Sequence, residues 1–181
     1  MKRYLTVLIA IFIFTFSFTT VYAANKAVKT SITTDDSFKK IMKKAPKINK
    51  GTTVVIPKKK NACYVKFTAP KTKSYEFIFT PEFSDEQNNE EYILGYFQFQ
   101  KQSYDKLKTL KLKTEGGKYI ALNCGTEKVQ SLMKEKKAKE YKSSRSTTIK
   151  LKKGESVYIS SYFIEGISNK VIKQKYNISV K

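Results

Sequence analysis

An all-β fold, a sandwich of about eight or nine short antiparallel strands behind one short helical turn, is what this sequence predicts. Three observations carry that expectation. From residue 51 onward, apolar and polar residues alternate with a period of two, the pattern of half-buried strands. Turn-forming clusters interrupt the alternation at the spacing of a sandwich. The chain also holds 12 Tyr and 12 Phe, which with its β-branched residues suffice to fill the space between two sheets.

The elements follow in order. Residues 34–44 (TDDSFKKIMKK) place cap-type side chains before Phe38, Ile41 and Met42, a spacing that predicts one or two helical turns ended by Pro46. Residues 52–56 form a short β-rich run. In the next strand Cys63, Val65, Phe67 and Ala69 share one face, and Tyr64, Lys66 and Thr68 the other. A proline-containing turn at 70–73 then joins it, as a hairpin, to a strand in which Tyr75, Phe77 and Phe79 alternate with Glu76, Ile78 and Thr80. Residues 92–100 (YILGYFQFQ) set Phe97 and Phe99 against Gln98 and Gln100, with Gly95 read as a bulge or bend. Residues 107–114 and 118–124 flank Glu115, Gly116 and Gly117, a tight-hairpin signal. Residues 147–151 and 157–163 flank a loop whose Gly154 suits a left-handed position. Tyr176, Ile178 and Val180 close the alternation. Residues 126–142 suit either a helical stripe through Val129, Leu132 and Met133 or a charged excursion.

The first residues point to export. A basic head, MKRY, precedes the uncharged apolar run 5–18, and Val21 and Ala23 occupy the small-residue positions of a signal-peptidase site. That run is shorter than the roughly 20 residues a membrane span needs. Residues 1–23 are therefore read as a signal peptide cleaved after Ala23, 24–33 as a flexible leader, and 34–181 as a single domain. No second long apolar segment follows, so no transmembrane segment is expected after removal of the signal.

Charge narrows the partners. The chain has 36 Lys and Arg against 15 Asp and Glu, a net charge of +21. Such an excess favours anionic partners, or reflects an AT-rich coding composition. Only Arg3 and Arg145 are arginines. Lysine is a point charge without the planar fork that reads bases, so sequence-specific nucleic-acid binding is not expected. The chain has no histidine, which removes Ser-His-Asp and Cys-His catalysis and the commonest catalytic zinc ligands. A two-carboxylate hydrolase needs no histidine, but nothing marks a pair of buried acids. No enzyme is expected.

Several motifs resemble the bacterial pre-peptidase C-terminal domain family. Asp36, Ser37 and Phe38 with Ala45, Ile48 and Gly51 are similar to its opening. Residues 64–70 (YVKFTAP) look like its strand "Y-x-K-F-T-A-P", followed by 75–77 (YEF), 151–159 (LKKGESVYI) and 176–180 (YNISV). The sequence departs from the family at Lys73 and Ser74 and at Gln174 and Lys175, where glycine is usual in the turns. The resemblance implies a jelly-roll-like β-sandwich of an exported protein. It further implies a non-catalytic role beside secreted peptidases, or binding of matrix or polysaccharide, sometimes with calcium.

Four groups of residues are candidate sites. The acidic stretch 81–91 offers Asp85, Glu86, Asn88, Glu90 and Glu91 as oxygen ligands for calcium, or as a solvated loop pairing with lysines. Cys63 and Cys124 both fall on apolar strand phases and, in an oxidising compartment, read as a disulfide or as two buried thiols. Lys134, Lys136, Lys137, Lys139, Lys142 and Arg145 form the densest basic run, a polyanion-binding segment or a solvated face interrupted by Glu135 and Glu140. Tyr64, Tyr158 and Tyr162 lie opposite the core phase, as a binding platform or as side chains covered by loops. The expected function is a secreted, non-catalytic module adhering to an anionic extracellular polymer, a wall polymer or acidic glycan, through lysine charge. The alternative is a protein-interaction module that assists or inhibits a secreted peptidase or other exported enzyme.

Overall fold

Each alternating run has one apolar face to bury, aromatic in several of them, and two sheets laid face to face satisfy all of them at once. The computed structural model describes residues 26–59, 62–82, 93–114, 117–125, 144–165 and 175–181. Along the chain come β1 (Lys26–Thr30), helix α1 (Phe38–Lys44), β2 (Lys47–Ile48), β3 (Gly51–Pro57) and β4 (Cys63–Thr68). Then follow β5 (Lys73–Glu82), β6 (Ile93–Ser103), β7 (Lys106–Thr109), β8 (Leu112–Thr114) and β9 (Gly117–Tyr119). The last four are β10 (Leu122–Gly125), β11 (Arg145–Leu151), β12 (Ser156–Glu165) and β13 (Lys175–Val180).

Sheet A has the strand order β1-β3-β13-β5-β11, and sheet B the order β10-β6-β12-β4-β2, with β7 beside β6. β8 and β9 pair as a separate ribbon, Thr114 opposite Gly117, a shorter hairpin than the runs 107–114 and 118–124 predict, because β7 and β10 pair with β6 instead. The all-β sandwich is thus present, with more strands than the alternation alone suggests. The extra ones are short edge pieces, and two of them, β1 on β3 and β2 on β4, pair in parallel.

Aromatic rings from both inner faces interdigitate. Phe79 of sheet A stacks on Phe97 of sheet B at 4.5 Å between ring centroids, and Phe77 meets Phe99 edge-on at 5.2 Å. Such pairs add about 0.5–1.5 kcal/mol each beyond the area they bury. Tyr176 and Phe163 extend the cluster, and both are buried. Gly95 does not mark a bulge, because the register runs unbroken through it, opposite Phe163 and Cys124. It is small because a Cβ there would stand 3.1 Å from the Phe163 ring and 3.2 Å from the Phe97 ring.

Three connections differ from the local reading. The runs 63–68 and 73–82 are not a hairpin: β4 lies in sheet B and β5 in sheet A. The turn between them is a corner that carries the chain across the sandwich, so that Phe67 packs on Tyr75 at 5.0 Å and Phe77 at 5.5 Å from the opposite sheet. The loop 152–155 likewise switches sheets, from β11 to β12, with Gly154 at φ +80° as its composition predicts. The expected flexible leader is ordered from Lys26, where β1 forms the edge of sheet A. Val28 and Thr30 point into the core, and Thr30 Oγ1 donates to the Tyr64 carbonyl at 2.7 Å.

Helix α1 ends before Pro46, as predicted. It covers part of the outer face of sheet B, where Ile41 and Ala45 join Ile32, Tyr64 and Tyr158 in a second small core. The Asp36 carboxylate accepts from the Thr33 amide at 2.9 Å and from Lys40 Nζ at 2.6 Å, fixing the entry to the helix. The Lys40 hydrogen bond, then the amide, hold Asp36 below the ordinary carboxylate pKa.

Candidate functional site

The two sheet-switching corners lie back to back at one end of the sandwich. Leu151 and Lys73 face each other across sheet A, as Ser156 and Thr68 do across sheet B. Backbone bonds tie the corners: Gly154 N–H donates to the Ala69 carbonyl at 2.8 Å, and Ala69 N–H to the Glu155 carbonyl at 2.9 Å. The Lys153 amide also donates to Thr72 Oγ1 at 2.9 Å. Inside the first corner the Tyr75 hydroxyl donates to the Lys71 carbonyl at 2.8 Å and accepts from the Lys71 amide at 3.2 Å.

This scaffold displays lysines that are distant in sequence. Lys71 and Lys73 come from one corner, Lys150, Lys152 and Lys153 from the other, and Lys106 from the β6–β7 hairpin; all are exposed. The described acids nearby are largely committed. Glu155 is bonded to Lys101 Nζ at 2.7 Å and to the Lys152 amide at 2.9 Å. Glu76 lies 3.4 Å from Lys181 Nζ. The Lys101 hydrogen bond is the main cause holding the Glu155 pKa below its usual range, against a smaller opposing effect of burial.

Between the 152–155 corner, the β6–β7 hairpin and α1 runs an open groove of about 480 Å³. Its lining includes Met42, Lys101, Gln102, Tyr104, Glu155 and Tyr158. Tyr104 sits at the tip of the two-residue hairpin connection, 94% exposed, with φ +54°. A left-handed backbone is unfavourable for a bulky side chain by roughly 1–2 kcal/mol. The wall behind it is firm: Lys66 Nζ donates to the Met42 carbonyl at 2.9 Å and lies 5.7 Å from the centre of the buried Tyr158 ring. Burial first, then repulsion from Lys47, lowers the Lys66 pKa.

The residues singled out from the sequence fare differently. Asp85, Glu86, Asn88, Glu90 and Glu91 lie outside the described residues, as do Lys134, Lys136, Lys137, Lys139, Lys142 and the cleavage position Ala23. Among the described residues no group of three or more acidic or cysteine side chains is placed to hold a metal. Likewise, no helix among them is long and apolar enough to cross a membrane. Arg145 opens β11 opposite Phe79, away from the corner lysines.

The disulfide expectation is corrected: Cys63 and Cys124 are both buried thiols, not joined. Strands β6 and β12 separate β10 from β4, so the two backbones lie three strand spacings, about 14 Å, apart, with a two-residue offset in register besides. A disulfide needs Cα atoms within about 7 Å. Burial raises the Cys63 pKa, and it pushes Cys124 up to about 12 against a small opposing effect of Arg145. The tyrosine platform is corrected as well. Tyr64 and Tyr158 are buried beneath α1, the Tyr64 hydroxyl donating to Gln100 Oε1 at 2.8 Å. Tyr162 is exposed, as expected.

Sequence reasoning missed the groove because residues 101–106 carried no assignment. The usable signal was the Ser103 to Lys106 interval, a two-residue connection between alternating runs with an aromatic at its tip. The chain matches no protein-family model and no curated protein. Among solved structures it is similar to CorA of Methylomicrobium album BG8, described as a surface-associated copper-binding protein. The identity is 8% and the TM-score 0.41, over 76% of this chain and 98% of that one. A likeness that distant carries no argument about function.

Proposed function

We propose that this protein is an exported, non-catalytic binding module that adheres to an anionic extracellular polymer, a wall polymer or acidic glycan, through its corner end. The observation that carries the reading is the convergence there of exposed lysines from three separate segments, on corners cross-linked by backbone hydrogen bonds. Preorganised charge costs little ordering when a polyanion binds. The absence of histidine from the chain supports a role without catalysis. So does Glu155, which Lys101 keeps ionised and unsuited to donate a proton near neutrality. The proposal includes export by the leader 1–23. It also includes kinship with pre-peptidase C-terminal modules, supported by the placing of the motif segments 64–70 and 151–159 on the two corners.

Pull-down of residues 24–181 by isolated bacterial walls across a salt series tests the reading. Binding should fade steeply as salt rises. Reversing Lys71, Lys73, Lys152 and Lys153 to Glu should weaken it by about tenfold or more, whereas reversing Lys29, Lys39, Lys43 and Lys58 should cost far less. Equal loss in both variants would leave only diffuse charge and overturn the site. Binding that survives both high salt and the corner reversal would overturn charge-driven adhesion and favour a protein partner, such as a secreted peptidase.

A further inference from the structure

We infer that the groove beside Tyr104 is a sugar-ring subsite, taking one unit of an acidic polysaccharide while the corner lysines hold the acid groups of that unit and its neighbours. The inference rests on the polymer-binding reading and specifies how the polymer is held.

The groove volume of about 480 Å³ falls within the range of small-ligand sites, roughly 300–1,000 Å³. Its chemistry suits a pyranose. Tyr104 offers an aromatic face that nothing among the described residues covers, being 94% exposed. Gln102 and Ser156, with the Lys101–Glu155 pair, supply donors and acceptors for ring hydroxyls. Charge orients the unit. Lys101 and Glu155 neutralise each other in the groove lining at 2.7 Å, while Lys150, Lys152 and Lys153 are exposed on the adjoining corner, the rim that draws an acid group. A bare polyanion would use the rim and leave the aromatic idle.

The backbone at Tyr104 strengthens the case. A hairpin tip at φ +54° suits Gly or Asn, and a bulky aromatic there is strained. The neighbouring Gln102 Nε2 reaches the Tyr104 carbonyl at 3.5 Å, a long contact that adds little to hold the strained tip. The strain is accounted for by what the ring contacts outside the protein.

Titration calorimetry on residues 24–181 with trigalacturonate, neutral maltotriose and inorganic polyphosphate tests the inference. Trigalacturonate should bind and maltotriose should bind far more weakly. Tyr104→Ala should reduce the trigalacturonate affinity by on the order of tenfold at both low and high salt, and leave polyphosphate binding unchanged. Tyr104→Phe should retain most of the affinity. Tyr104→Gly should raise the melting temperature, by relieving the backbone, while losing the sugar, which separates recognition from folding. Polyphosphate and trigalacturonate bound alike, both indifferent to Tyr104 but sensitive to the corner lysines, would overturn the subsite and leave the polymer reading standing. Loss of corner-lysine dependence altogether would overturn both. If Tyr104→Gly instead impaired binding to phosphatidylglycerol vesicles alone, the ring would be a membrane contact and the subsite would fail.

Discussion

The Tyr75 ring packs edge-on against Phe67 at 5.0 Å while its hydroxyl reaches back four residues to both backbone groups of Lys71. One side chain thus links the core to the corner that displays Lys71 and Lys73. Tyr75→Phe keeps the ring and leaves the Lys71 amide and carbonyl without that partner. Stability to urea should fall by about 1–2 kcal/mol with an unchanged denaturant slope; an unaltered midpoint would show that water replaces the hydroxyl at no cost. Tyr104 is the opposite kind of residue, an aromatic spent on the surface at a backbone angle that disfavours it.

Strand β1 shows what is lost when a segment is judged by composition. Residues 26–30 hold two lysines, an alanine and a threonine around the single Val28, yet they pair residue for residue with β3 and insert Val28 and Thr30 inward. A chain beginning at residue 34 loses that strand and the buried Ile32. Thermal and urea unfolding should show a deficit of about 3 kcal/mol or more, where a true leader would leave both transitions unmoved. The strands whose alternation was regular, β4, β5, β11, β12 and β13, were legible because each has one largely apolar face, interrupted only by Thr147 in β11 and Ser161 in β12 among their buried positions. Their partners were not. A local pattern says which side of a strand is buried but not which sheet receives it, so the corners at 69–72 and 152–155 read as ordinary turns. The groove was illegible for the same reason, since Met42, Tyr104 and Glu155 share no local pattern and meet only when α1, a hairpin and a corner are stacked at one end.

At the scale of the whole molecule, the densest basic run in the sequence, 134–145, is not where the described structure gathers its charge. The corner lysines converge from residues 71 to 153, a patch that no window on the sequence contains. The interior carries its own electrostatic consequence. Burial pushes the Cys124 thiol from an ordinary 9.0 to about 12, and raises the fully buried Tyr176 phenol above its ordinary 10.0. As pH rises past 9 the unfolded chain releases these protons first and the folded chain keeps them, so stability falls with pH. Unfolding midpoints should hold up to about pH 9 and then decline, by at most about 1.4 kcal/mol per pH unit for each group. Cys124→Ala should flatten the first part of the decline; a profile flat to pH 11 in the parent would contradict the raised thiol.

Strand β13, the last of the described strands, lies in the middle of sheet A between β3 and β5. Until residues 175–180 arrive, β3 and β5 each present an open hydrogen-bonding edge, and the aromatic layer lacks Tyr176. A nascent chain therefore has no stable half-product. Nucleation must join segments more than a hundred residues apart, which makes for slow, all-or-none folding. For a chain proposed to be exported, that delay is useful: the polypeptide stays unfolded long enough to be threaded out, and sheet A closes once β13 is delivered.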